Sequence, residues 1–206
     1  MPNRKSRAEQ KALRPNEILD AAFEEFSEKG YSATRLEDIG KRVGITKGTI
    51  YLYFPTKEAL FEAVAQHTSK PFAEVLSSLT ELEGNYSEKL RTLLLMAYQK
   101  ISEDKRIQKM LRLSLTEGMR FPEIVDRHYD EYIAPLSHAV GTLLYQGVQA
   151  GEFREGAAAA MPDVVMSSVL HITVWRLLAS EKLQIDEYSF IEAHIDLTMN
   201  GLLNRN

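Results

Sequence analysis

The run Thr46-Lys47-Gly48-Thr49-Ile50-Tyr51-Leu52-Tyr53, followed by Lys57, holds the residue types best suited to act together. Their chemistry is hydrogen bonding to a nucleic acid rather than bond making. Lys47 can donate to guanine O6 or N7. Gly48 removes a side chain so that backbone can approach a groove floor, and Thr49 offers a hydroxyl to phosphate or a methyl to thymine. Thr46, Tyr51, Tyr53 and Lys57 suit phosphate contacts that set a docking angle, and Leu52 suits an apolar contact. The stretch from Val43 to Lys57 holds two Lys and no acid, and the first 14 residues hold five basic residues against one Glu. Residues 1–60 carry a net charge of +2 inside a chain whose total is −4. That asymmetry is a local footprint for phosphate. A solvated tail and chance would produce the same charges, Tyr51 and Tyr53 could be half-buried core rings, and Lys47 and Lys57 idle surface charges.

Other chemistries lack their residues. There is no Cys, so disulfides and Cys-ligated zinc are excluded. The five His, at 67, 128, 138, 171 and 194, show no i, i+4 pair and no HExxH, and there is no Gly-rich phosphate loop or GxSxG elbow. No metal, cofactor or enzyme activity is expected. With 206 residues, 44% apolar and 26% charged, the chain suits one or two ordinary globular domains. Its apolar stretches run only a few residues and the N-terminal segment lacks an apolar h-region. No membrane association is expected, and a cytoplasmic location is.

The elements that must position the run are helices. Apolar residues recur at helical spacing throughout and nothing alternates like a sheet, so the fold class is all-α, with about nine helices. Ile18, Ala22 and Phe26 stripe a helix over about 14–29, ended by Gly30, with residues 1–13 as a disordered basic tail. Thr34-Arg35-Leu36-Glu37 reads as a capping box opening a second helix, in which Thr34 caps and Arg35 joins the helix N-terminus as an anion site. Thr34 and Thr46 could equally serve as caps alone. Gly44 turns the chain and Thr46 caps a very short third helix over 47–53, stopped by Pro55. A fourth helix follows Thr56 over 57–67. Two helices around a Gly-containing turn, the second with a face its core does not need, describe a helix-turn-helix unit whose second helix can enter a major groove.

These residues closely resemble a known pattern. The run from Ile18 to Thr34, then Asp38-Ile39, then Gly44 to Phe54, then Lys57 to Phe61, resembles the DNA-binding domain of the tetracycline-repressor (TetR) family. The resemblance implies a DNA-binding domain over 14–67 and a ligand-binding and dimerisation domain of antiparallel helices over 68–206. It implies a homodimer whose paired third helices read a double-stranded, palindromic operator, with Thr34, Arg35, Thr46, Lys47, Gly48, Thr49, Tyr51, Leu52, Tyr53 and Lys57 at the DNA. It further implies a repressor released by a small-molecule effector. An activator, a ligand-independent regulator and a helical small-molecule carrier are the other readings.

The remainder reads as helices over 71–82, 87–103, 107–119, 123–149 with a bend at Pro135, 162–179 and 187–203. Met96, Met110, Leu113, Glu117, Met119, Phe121, Tyr129 and Tyr132, with His171 and Trp175, could wall a pocket for an apolar or aromatic effector. The same residues at helical spacing could be plain core, and His171 a hydrogen-bonded core histidine. The helix over 162–179 leaves almost no polar face, so burial on all sides is expected. The resemblance implies that a twofold four-helix interface through Val169, Ile172, Ile191, Ile195, Met199 and Leu202 supplies it, and a plain intramolecular core is the other reading.

Overall fold

The computed structural model describes residues 7–178 and 185–204. They form twelve α-helices, and β pairing among them is limited to one isolated antiparallel bridge, Phe153 with Leu203. The fold is all-α. The chain divides into two compact units, one of residues up to Thr68 together with Arg112–Val125, the other of Ser69–Leu111 and residues from Asp126 onward. The single cut drawn after residue 67 therefore misses a second piece of the first unit.

In the first unit α1 spans Arg7–Lys29, α2 Leu36–Val43, α3 Lys47–Tyr51 and α4 Lys57–Thr68. Helix α1 begins well before the expected start near 14, so residues 7–13 are helical rather than a disordered tail; residues 1–6 lie outside the described residues. Ala8, Glu9, Gln10, Lys11, Ala12 and Leu13 are strong helix formers, and Pro15 sits inside the helix. The fully buried stripe Ile18, Ala22 and Phe26 packs in a core with Ile39, Ile50, Leu60 and Val64. Phe26 and Phe61 meet edge to face with centroids 5.1 Å apart. Gly44, at φ 73, lets α2 end in a left-handed turn that side chains disfavour.

In the second unit α5 spans Lys70–Ser78 and continues as a 3₁₀ turn to Glu81, and α6 spans Tyr86–Ala97 and continues as a π-helical segment to Ser102. Helix α7 is Lys105–Glu117 and α8 is Pro122–His128, each with one end in the first unit. A second π-helical segment, Tyr129–Ile133, joins α8 to α9, Ala134–Gln149. Its wider turn lies just before Pro135, the position at which a bend was expected. Then come α10 Ala157–Ala160, α11 Pro162–Leu178 and α12 Glu187–Leu202. The ten helix ranges read from the sequence become twelve because the π segment separates α8 from α9 and the Ala run forms a turn of its own. Asn85 and Glu88 form a complete capping box on α6. Leu90, Leu93, Leu94, Val140, Leu144, Phe153, Val169, Ile172, Ile195 and Leu202 fill one core. Gly147 gives Phe153 its room, because a Cβ there would collide with the ring.

Candidate nucleic-acid interface

Helix α3 has five residues, too few to be stable alone. It is held at both ends and by one anchor. Thr46 caps it, its Oγ1 accepting from the Thr49 amide at 3.3 Å and lying 3.1 Å from the Thr49 hydroxyl. Ile50 is fully buried, and its carbonyl accepts from the Tyr53 and Phe54 amides at 3.0 and 2.9 Å. The helix ends at Tyr51, with Leu52 at its cap, rather than at 53, and a turn delivers the chain to Thr56, whose Oγ1 accepts from the Ala59 amide at 3.0 Å to cap α4. Thr46, Lys47, Gly48, Tyr51 and Leu52 are exposed, Leu52 by 83%, while Thr49, Tyr53 and Lys57 are half-buried. The structure thus brings these sequence-selected residues together around one short helix with a face unused by the core.

Two of the selected residues behave otherwise. Thr34 is 2% exposed, and its hydroxyl donates to the Glu25 carbonyl at 3.0 Å and the Gly30 carbonyl at 2.8 Å. It closes the C-terminal end of α1, makes no capping box with Glu37 and is out of reach of DNA in this conformation. Arg35 takes the cap position of α2 instead, in extended conformation and exposed. The first turn of α2 carries the acids Glu37 and Asp38. The anion site expected there is therefore answered from within the chain.

Charge pairing around α2 is dense. Glu25, buried beneath it, meets Lys29 at 2.6 Å and Arg42 at 2.7 Å, and Arg42 also meets Glu28 at 2.6 Å. The hydrogen bond from Lys29, then that from Arg42, holds the Glu25 carboxyl below the usual range against the opposing effect of burial. Lys47 Nζ lies 3.0 Å from Glu37 Oε1 and 5.7 Å from the centre of the Tyr51 ring. Their mutual hydrogen bond raises the Lys47 ammonium's pKa and lowers that of Glu37. Lys57 sits over the Tyr31 ring at 4.5 Å with Nζ 3.4 Å from the Ser32 carbonyl, and burial pushes its pKa down. It is a cation packed on a ring rather than an idle surface charge.

The second piece of this unit converges on Tyr31. The Tyr31 amide donates to Glu117 Oε1 at 3.2 Å, its hydroxyl donates to Glu58 at 2.9 Å, and its ring meets Phe121 at 4.6 Å and Phe61 at 4.8 Å. Arg120 donates to the Ser32 hydroxyl at 2.8 Å. Glu117 and Phe121, expected in an effector pocket, thus serve the reading unit, and Leu113 is buried within the same unit. Nothing in local spacing marks contacts some ninety positions apart, so sequence reasoning missed Tyr31 and Arg120.

Met119, also in the first unit, is 98% exposed, and the other pocket candidates lie in the second unit. Met110 is buried, Met96 lies 3.8 Å from the Ser78 hydroxyl, and Tyr132 packs against the His128 ring. His171 is exposed rather than a core histidine, and stacks on Trp175 and Phe190 with centroids 6.2 and 5.6 Å away. An open groove of about 500 Å³, lined by residues such as Ser137, His138, Thr142 and Tyr145, takes only Tyr129 from the expected set. Of the expected interface residues, Val169, Ile172, Ile195 and Leu202 are buried in this chain's own core, and Ile191 and Met199 pack partly against it. Helix α11 is not buried all round, because Val164, Leu170 and Leu178 are exposed, as is Leu197 on α12. The large apolar residues that the single chain leaves exposed on these helices are thus different ones, with Ile191 and Met199 half-buried. Among the described residues no group of His, Asp and Glu could hold a metal, and no helix is long and apolar enough to cross a membrane.

Comparison with known proteins agrees with this architecture. Residues 18–64 match the family model of bacterial regulatory proteins, tetR family, and residues 88–196 match that of the AefR-like transcriptional repressor C-terminal domain. The fatty acid metabolism regulator protein of Bacillus subtilis (strain 168) is 22% identical over 197 residues, covering 95% of this chain and 99% of its own. The solved structure of the transcriptional regulator FadR from Bacillus subtilis in complex with stearoyl-CoA has a TM-score of 0.70 at 21% identity, covering 90% of this chain and 98% of its own. A transcriptional regulator from Saccharomonospora viridis in complex with choline has a TM-score of 0.75 at 18% identity, covering 94% and 100%. The two structures share the fold. With one model matching the helix-turn-helix and a second matching more than half of the chain, this protein belongs to the tetR family of DNA-binding bacterial transcriptional regulators.

Proposed function

We propose that the protein acts as a homodimeric repressor that reads a palindromic operator through Lys47, Gly48 and Thr49 and leaves it when a small organic effector binds the second unit. The observation that carries the reading is the exposed face of α3, anchored from below by Ile50 alone and carrying donors where a major groove presents acceptors. Thr46, Arg35, Tyr51, Tyr53, Lys57 and Leu52 flank it for backbone and sugar contacts. Exposed Val164, Leu170, Leu178 and Leu197 on α11 and α12 support a twofold partner, since large apolar side chains on adjacent helices favour a covering surface. For the effector, the likeness to a fatty acid metabolism regulator and to a fold solved with stearoyl-CoA favours an apolar chain, with long-chain acyl thioesters the first to test.

The test is operator selection with the purified full chain, followed by titration. A sharp palindrome supports the reading, as does an operator affinity that falls in Lys47→Ala with relaxed base preference. Effector and operator must weaken each other by the same factor. No enriched sequence would sink the operator reading, and an effector affinity identical with and without operator would remove induction.

A further inference from the structure

We infer that Glu37 is a selectivity residue of the DNA interface: its carboxylate engages Lys47, the one cation of α3, and keeps that charge from serving as an indiscriminate phosphate contact. The inference rests on α3 being the reading helix. Lys47 Nζ lies 3.0 Å from Glu37 Oε1, and the two side chains are 45% and 51% exposed, so the pair faces solvent on the surface DNA would meet. The neighbouring acid Asp38 is already engaged by Lys29 at 3.2 Å and Lys41 at 3.6 Å, which leaves Glu37 as the acid on Lys47.

The selectivity follows from what an ammonium group offers. It has three N–H donors and a net charge. Glu37 takes one donor and offsets the charge, and two donors remain for a guanine O6 and N7. A neutralised pair gains little from the diffuse field of phosphates, which every sequence presents equally, but loses none of its capacity for directed hydrogen bonds to a base edge.

Glu37→Gln keeps the shape and removes the charge. With the full-length protein, binding to a random-sequence duplex is expected to tighten about threefold at low salt. The slope of log K against log salt steepens by about 0.9, the value of one added phosphate contact. Affinity for the selected operator changes less, so the specificity ratio falls. In a Lys47→Ala background the same substitution is expected to change neither quantity. Three results would overturn the inference: an unchanged salt slope, an effect that persists without Lys47, or a loss of operator binding with no gain on random DNA, which would make Glu37 a direct base reader. If Lys47→Ala alone left operator affinity and base preference untouched, the assignment of α3 would fail instead. Circular dichroism melting of each variant separates these outcomes from misfolding.

Discussion

Phe121→Ala should loosen the reading unit from a position far outside the helix-turn-helix. The ring sits 4.6 Å from Tyr31 in an edge-on arrangement, and Tyr31 in turn packs on Phe26 and Phe61 and lies beneath Lys57. An aromatic pair of this geometry contributes about 0.5–1.5 kcal/mol beyond area burial. Phe121 is half-buried, so truncation removes roughly half of the ~1.5–3 kcal/mol of a fully buried side chain. Together these make about 2 kcal/mol, or roughly a thirtyfold change in the population of a state in which residues 112–125 have come away. The reporter is the Tyr31 amide, whose acceptor at 3.2 Å is Glu117 on that segment. Native-state hydrogen exchange should show this amide exchanging about thirtyfold faster, while Leu93 and Leu94 in the second core keep their protection. An unchanged Tyr31 rate would refute the argument that this segment is an energetic part of the unit.

Three further outcomes are expected. Ile50→Ala should destabilise the first unit by about 2–5 kcal/mol, read from denaturant titration, because α3 has no other fully buried anchor. Leu178→Glu with Leu197→Glu should leave the fold intact by circular dichroism but shift sedimentation toward monomer, whereas a dimer that persists would place the interface elsewhere. Acid should weaken the first unit. The Glu25 and Asp38 carboxyls are held below their ordinary values of 4.5 and 3.8, mainly by hydrogen bonds from Lys29. The unfolded chain therefore binds more protons below those values, so their stabilisation is complete above about pH 4.5 and is lost as the pH falls through the lowered range. Amide exchange in α1 and α2 followed down that range, with Glu25→Gln showing the shallower dependence, is the check.

The helix-turn-helix was legible because its signals are local. Ile18, Ala22 and Phe26 repeat at helical spacing, Gly30 and Gly44 punctuate, and Thr46 caps in place. Thr34 was misread for the same reason. The pattern T-x-x-E is present, but two buried carbonyls at the end of α1 claim the hydroxyl, and Lys47, ten positions on, claims Glu37. The role of Glu117 and Phe121 depends on contacts across some ninety positions, which periodicity cannot express. Helix α11 misled through composition. Val164 and Val165 are chemically alike, and only the packing decides that Val165 enters the core while Val164 faces out.

The two-piece construction of the reading unit bears on how such regulators can be recombined. A hybrid made by grafting residues up to Thr68 onto another sensor would carry α1–α4 but leave Glu117, Arg120 and Phe121 behind. The graft would present Tyr31 and Ser32 to whatever the recipient places there. A successful exchange must therefore transplant the short segment 112–125 along with the head, or select a recipient whose own segment offers a carboxylate and an aromatic ring at matching positions.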